Sequence, residues 1–158
     1  MIKRQREAFS LLTALVVIVL MATVAILVMN MTGKIIKETT EQFQKEQAVL
    51  LAKSYTELAI MAVTANDRSI DCIENINGVN ILGRSSKGEG YRVRTRISYI
   101  GSNNENLGNC ATTRVFSSSV ATPESSLNII VDVYVEYKDL DNSTAKYITY
   151  HRRTLQKI

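Results

Sequence analysis

A long apolar segment near the N-terminus constrains this chain more than any other feature. The 21 residues from Phe9 to Met29 include no charged residue, and the polar ones are Ser10, Thr13 and Thr23. As a helix with a rise of about 1.5 Å per residue, the segment would be about 32 Å long, which is enough to cross the hydrocarbon core of a bilayer. Residues 9–29 therefore predict a transmembrane helix.

A basic leader, residues 1–8, precedes this segment. It contains Lys3, Arg4 and Arg6 against one acidic residue, Glu7. Basic flanks stay in the cytoplasm, so we expect a cytoplasmic N-terminus and a single pass that places the rest of the chain outside. A secretory signal has a shorter apolar core, of about 7–15 residues, and then a cleavage site in a polar setting. We therefore expect the apolar helix to be retained.

Residues 30–65 are predicted to continue the helix in amphipathic form. They contain no proline, and Gly33 is their only glycine. Large apolar residues recur at three-, four- and seven-residue steps, which indicates a stripe that packs on the remainder of the domain. The stripe consists of Ile36, Phe43, Leu50, Leu51, Tyr55, Leu58, Met61 and Ala62. The simplest arrangement is one continuous helix from Phe9 to about Ala65.

Residues 66–158 are predicted to form the globular α+β part. Residues 66–90 are rich in Asn, Ser, Gly and Asp, which is typical of an irregular connection. Residues 91–101, 127–138 and 145–156 alternate between apolar and polar side chains and predict antiparallel strands, with a turn at 139–144. The predicted fold class is α+β, a long N-terminal helix packed on a small antiparallel sheet of about three strands.

Cys72 and Cys110 are the only cysteines, and both follow the membrane segment. In an oxidising compartment a disulfide between them is expected, with two free thiols as the alternative. The chain-entropy model gives such a bridge a stabilisation of about 4 kcal/mol. It would join the connection after the helix to the loop between two strands.

No residue pattern indicates catalysis, and we expect neither an enzyme nor a cofactor. The only histidine, His151, lies on a predicted strand and is interpreted as a sheet residue. Asp139, Asp141 and Asn142 could offer oxygens to calcium, but the glycine and the distant glutamate of a calcium loop are missing. A polar turn without metal is therefore favoured.

Arg92, Arg94 and Arg96 form a basic strip on one face of the strand 91–101. Such a strip is usually a solvated sheet face, and contact with DNA or an acidic partner is the alternative. The strand carries no aromatic residue on that face, which gives no support to stacking on nucleic acid bases. From Asp67 onward, 12 basic residues against 10 acidic ones favour no polyanionic partner in particular.

Residues 3–30 resemble those of type IV pilins and type II secretion pseudopilins. The likeness lies in the basic leader, in the pair Ala8-Phe9 and in the segment FSLLTALVVIVLMATVAIL; the long helix and the final strands resemble the family in topology. The resemblance implies that a prepilin peptidase cleaves between Ala8 and Phe9 and methylates the new amino group of Phe9. It also implies that the helix packs into a filament of pilin or pseudopilin subunits, built on an inner-membrane assembly platform. The packing residues would include Phe9, Leu12, Thr13, Leu15 and Val16.

Two positions depart from the family pattern. Ala8 stands where the family usually has glycine, and Thr13 stands where it usually has glutamate. In the family, that glutamate neutralises the amino group of a neighbouring subunit, because a carboxylate in lipid is costly unless it is paired. Thr13 supplies no such charge. The resemblance therefore implies a minor subunit, one that initiates the filament or lies near its tip.

The sequence thus predicts a structural minor subunit of a type II secretion or type IV pilus filament. It would lie in the bacterial inner membrane with its C-terminal domain in the periplasm, and later in a periplasmic or surface filament. Two alternatives remain. One is a competence-type minor pilin that binds DNA or another acidic ligand, and the other is a plain membrane-anchored periplasmic domain.

Overall fold

A computed structural model describes residues 3–101, 107–120, 127–139 and 144–158, with side chains described from Leu11 onward. The chain divides into two compact units, Met1–Gln42 and Phe43–Ile158. Both units include part of helix α1, which runs from Lys3 to Ala65. The helix begins six residues before the expected start at Phe9, because the leader residues KRQREA are good helix formers.

The first unit is a helical segment whose apolar side chains are exposed. The large apolar residues between Leu11 and Met29 range from 49% exposed at Val17 to 75% at Met29. The most apolar window of α1 has a mean hydropathy of 3.0, so the helix is long and apolar enough to span a membrane. Within it, the Thr23 hydroxyl donates to the Leu20 carbonyl at 2.8 Å. This bond satisfies the hydroxyl inside its own helix, as a lipid environment requires.

In the described residues of the second unit, the last part of α1 packs on a sheet of five strands. These are β1 (Asn75–Ile81), β2 (Tyr91–Gly101), β3 (Val115–Ser117), β4 (Leu127–Tyr137) and β5 (Ile148–Lys157). The order is β1-β2-β4-β5 with antiparallel neighbours, and the short β3 runs parallel to the end of β2. The α+β class and the three predicted strands are confirmed, and the described sheet has two strands more than the three or so predicted.

The two strands missed from the sequence lie in segments interpreted as loops. In β1, NINGVNI, asparagine and glycine interrupt the apolar residues, and its register shifts between Gly78 and Ile81. β3 has only three residues and pairs through Val115 with Tyr99. Strands this short or irregular depend on the neighbour they pair with, which local sequence does not reveal. The last strand begins at Ile148, three residues later than expected.

The core lies between the sheet and the last part of α1. The inner faces of β2 and β4 supply the bulk: Tyr91, Val93, Ile97, Tyr99, Leu127, Ile129, Val131, Val133 and Val135 are buried. The helix supplies mainly small residues, since Ala48, Ala52 and Ala59 are fully buried and Val63 nearly so. Small side chains allow the helix to lie close to a bulky sheet surface at the density of a protein interior.

The apolar stripe predicted to pack on the domain is mostly exposed, which corrects that expectation. Four of its members are between 42% and 61% exposed: Phe43, Leu50, Leu58 and Met61. At 100° per residue they fall within about 80° of one another, and we call them the outer stripe. Leu51 and Tyr55 are half-buried beside the core. The stripe was chosen for its large apolar side chains. The sheet already supplies large side chains to the core, so the helix face that packs on the sheet consists mainly of alanines.

The predicted disulfide between Cys72 and Cys110 is present, with Cα atoms 5.0 Å apart. It joins the connection after α1 to the segment between β2 and β3. Nearby, the side-chain amide of Asn109 donates to the Ser69 carbonyl at 2.6 Å. The two segments are therefore held together by a covalent bond and by a hydrogen bond.

Candidate interaction surfaces

The outer face of the sheet carries a network of charges where the sequence indicated a basic strip. Arg92, Arg94 and Arg96 lie on this face as predicted, and the register places Glu136 opposite Arg92. The guanidinium of Arg92 donates to Glu136 Oε2 at 2.7 Å, and that of Arg94 donates to Oε1 of the same carboxylate. The Glu136 side chain is only 9% exposed. Two of the three arginines are thus engaged within the fold.

Aromatic rings from outside β2 flank these arginines. The guanidinium of Arg92 lies 3.8 Å from the ring centre of Tyr147, and that of Arg94 lies 6.0 Å from the ring centre of Tyr134. Both distances are within the range of cation–π attraction. Neither ring was predicted for this face, because the prediction rested on the residues of β2 alone. The even-numbered positions of β4, which carry Tyr134 and Glu136, were the signal that could have revealed Tyr134.

A second cluster centres on Asp132 of β4. Arg153 donates to both carboxylate oxygens, at 2.8 and 2.9 Å, and His151 Nε2 lies 2.7 Å from Oδ1. Burial would raise the pKa of Asp132, but the hydrogen bonds and charges of Arg153 and His151 outweigh it and lower this pKa. The His151 ring also stacks on Tyr134, with ring centres 4.5 Å apart. His151 is therefore a sheet residue, as the sequence predicted.

Arg96 differs from the other two arginines of β2. It is exposed, and it makes no hydrogen bond or ion pair with any residue that the structure describes. Arg96 is therefore the member of the predicted strip that remains open to an acidic ligand.

Helix α1 presents the predicted filament-packing residues on its surface. Leu12, Leu15 and Val16 are 63%, 56% and 51% exposed, and Thr13 is exposed as well. Ala8 and Phe9 lie in the helical backbone, but their side chains are outside the described residues. The predicted processing site therefore lies on helical backbone.

Within the described parts of the chain, no group of three or more His, Cys, Asp or Glu side chains could hold a metal ion. Residues 140–143, which belong to the turn considered for calcium, lie outside those parts. The candidate functional features of the described residues are three surfaces: the apolar helix, the outer stripe and the charged face of the sheet.

Comparison of the chain with protein-family models, with curated proteins and with solved structures found no match. The residues and contacts described above therefore carry the functional interpretation.

Proposed function

We propose that this protein is a structural minor subunit of a bacterial filament of the type II secretion or type IV pilus kind. The observation that carries the proposal is the outer stripe. Phe43, Leu50 and Met61 are each about 60% exposed on the part of α1 that packs the sheet, beyond the bilayer-length segment. Large apolar side chains lined up outside a membrane favour a protein partner that covers them. A helix that served only as an anchor has no need of them.

The apolar segment supports the same proposal. Leu12, Leu15 and Val16 are exposed and suit contact with lipid. In a filament, apolar helices of neighbouring subunits would replace the lipid, so one surface serves both environments. The Cys72–Cys110 disulfide supports an oxidising location for the second unit. The basic leader supports a cytoplasmic N-terminus.

Thr13 supports a minor role in such a filament. A neutral side chain at this position cannot pair with the terminal amino group of a neighbouring subunit, as a carboxylate would. We therefore propose a subunit that initiates the filament or lies near its tip. If purified filaments contained this chain as their main component, the minor role would be wrong.

Mass spectrometry of the mature N-terminus tests the class of the protein. The protein is purified from bacterial membranes, and the expected N-terminal residue is N-methylated Phe9. An Ala8→Leu variant, in which a large residue replaces the small one before the cut, serves as the control and should keep its leader. An intact Met1 in the native chain would contradict the proposal.

Crosslinking in cells tests the outer stripe. Replacing Phe43 and Leu50 by serine should leave membrane insertion and the disulfide intact, because neither side chain is in the core. Crosslinking to other filament subunits should fall. The matched control replaces Glu41 and Lys45 by serine, because both are exposed and at 100° per residue they lie at least about 140° around the helix from Phe43 and Leu50. Equal crosslinking in both variants would remove the argument from the stripe.

DNA binding through the arginines is the alternative proposal, and it has less support because Glu136 already engages two of them. The clean variant replaces Arg92, Arg94 and Glu136 by glutamine together, so that no buried carboxylate is left unpaired. Arg96→Gln is tested separately. A DNA affinity that falls steeply with salt and drops in these variants would support this alternative. An affinity unchanged in both variants would exclude it.

A further inference from the structure

We propose that the free edge of β5 binds an extended segment of a partner protein that carries acidic side chains. The segment would add a strand to the sheet. β5 is the last strand in the sheet order, and among the described residues it pairs with β4 on one side only. This inference concerns a different surface from the outer stripe and does not depend on the filament role.

The backbone of β5 presents a row of hydrogen-bonding groups along this edge. The Ile158 N–H donates to the Leu127 carbonyl at 3.1 Å, which fixes the phase of the ladder between β4 and β5. Because antiparallel ladders alternate, every second residue of β5 turns its N–H and C=O away from β4. Four of these residues turn backbone groups outward that form no hydrogen bond with the backbone of the described parts of the chain. They are Thr149, His151, Arg153 and Leu155.

The edge is regular and exposed. The pairing of β4 with β5 runs through ten residue pairs without a register shift. From Thr149 to Lys157, exposed and half-buried residues alternate along β5, and Ile148 is exposed as well, whereas β4 is largely buried. Ile148 is 46% exposed and Leu155 is 65% exposed. A long edge strand with neither proline nor bulge is a template for another strand.

The charge of β5 indicates what kind of strand fits. From Thr144 to Ile158 the chain has no acidic residue, and its basic residues are Lys146, Arg152, Arg153 and Lys157. Arg153 is paired with Asp132. Arg152 is half-buried, has the Thr154 hydroxyl at 3.4 Å and makes no ion pair among the described residues. An acidic side chain opposite Arg152 would compensate its charge.

The same charges disfavour a second copy of β5 as the occupant. A two-fold antiparallel pairing that uses the whole free edge would match Thr149 with Leu155 of the other copy. That register sets Arg152 directly opposite Arg152 of the second copy. Like charges directly opposite each other destabilise a strand pair. The edge therefore favours a heterologous acidic strand.

Nuclear magnetic resonance of the isotope-labelled full chain in detergent micelles tests the inference. The probes are two short peptides, one alternating glutamate with valine and the other alternating lysine with valine. We expect the glutamate peptide to shift the amide signals of Thr149, His151, Arg153 and Leu155. The lysine peptide should bind at least about tenfold more weakly, because it meets Arg152 with a like charge.

Two variants separate the backbone contribution from that of charge. Leu155→Pro removes an outward N–H without touching the bonds to β4, and we expect it to weaken binding of the glutamate peptide about tenfold. Leu155→Ala is the matched control, since it keeps the N–H and should bind nearly as well as the native chain. Arg152→Glu keeps every backbone group and should reverse the preference between the two peptides.

Three results would overturn the inference. The first is equal binding of the two peptides, which would remove the role of charge. The second is a set of shifted signals that leaves out the four edge residues. The third is protection of those amides without peptide that rises with protein concentration, which would identify a second copy as the occupant. Unchanged amide signals of β2 in each variant show that the fold is intact.

Discussion

At the scale of single residues, two buried threonines of the second unit differ in how their hydroxyls are satisfied. The Thr56 hydroxyl donates to the Ala52 carbonyl at 2.7 Å. The Thr95 hydroxyl is fully buried on β2 and has no hydrogen-bond partner in the described part of the chain. An unbonded buried hydroxyl loses its contacts with water and gains nothing in exchange.

This difference predicts opposite effects of the same substitution. We expect Thr95→Val to raise the free energy of unfolding by about 1 kcal/mol, because it replaces an unpaired hydroxyl by a methyl group. Thr56→Val should lower it by a similar amount, because a hydrogen bond is lost. Denaturant unfolding of both variants in the same micelles measures the change. A destabilised Thr95→Val would show that its hydroxyl is bonded in solution.

Tyr99 links β2 to the connection after α1 and sets a pH dependence. Its hydroxyl donates to the Ile73 carbonyl at 2.5 Å, and burial raises its pKa to about 12. In an unfolded chain a tyrosine has a pKa of about 10, so the fold favours the neutral form. The stability from this group is complete below about pH 10 and is lost as pH rises from about 10 to about 12.

Tyr99→Phe tests this dependence, because phenylalanine cannot ionise. The variant loses the hydrogen bond to Ile73, yet its free energy of unfolding should fall less between about pH 10 and pH 12 than that of the native chain. Burial also raises the pKa of Tyr91, so part of the alkaline loss should persist. Unfolding measured across this pH range in both proteins gives the comparison. If the free energy of unfolding fell equally with pH in both proteins, Tyr99 would not be the source of the alkaline loss.

At the scale of elements, the part of α1 in the second unit has two apolar faces with different tasks. Alanines pack on the sheet, and the outer stripe of large side chains is exposed. The periodicity of the sequence revealed a helix, but it could not tell which face the sheet covers. That choice depends on the bulk that Tyr91, Ile97 and Tyr99 supply from β2. The neighbouring strands therefore determine which face of α1 is buried, and the helix sequence alone does not.

Paired substitutions on α1 distinguish these faces. Ala52→Leu forces a large side chain into the packed interface and should cost about 1–3 kcal/mol of unfolding free energy. Leu50→Ala, two residues away, should change it by less than about 0.5 kcal/mol, because Leu50 is 61% exposed. Both are measured by denaturant unfolding of the full chain. A larger loss for Leu50→Ala would place the outer stripe inside the fold.

At the scale of the whole molecule, the sequence predicted the helix, the α+β class and the disulfide. Each rests on a local or compositional signal: the apolar segment, the alternation in β2 and β4, and a single pair of cysteines. It did not predict the network that joins Arg92 and Arg94 to Glu136. Those residues are more than 40 positions apart along the chain, and only the strand register brings them together.

The disulfide gives a prediction for the second unit as a whole. Replacing Cys72 and Cys110 by serine should lower the free energy of unfolding by about 4 kcal/mol, because the unfolded chain regains the freedom of a long loop. The control is the native chain, unfolded with and without reductant. Reduction should lower the free energy of unfolding by the same amount as the two serine substitutions. A loss under about 1 kcal/mol would show that packing alone holds the two segments together.

The Cys72–Cys110 bond also determines how the chain bears tension. A pull between α1 and β5 travels along the backbone to Cys72 and crosses the sulfur–sulfur bond to Cys110. β1 and β2 lie in the bypassed segment, so the force does not stretch them. The sequence separation of 38 residues corresponds to about 130 Å of extended chain at about 3.4 Å per residue. In the oxidised chain that length is therefore unavailable for mechanical extension, and reduction of the disulfide would release it.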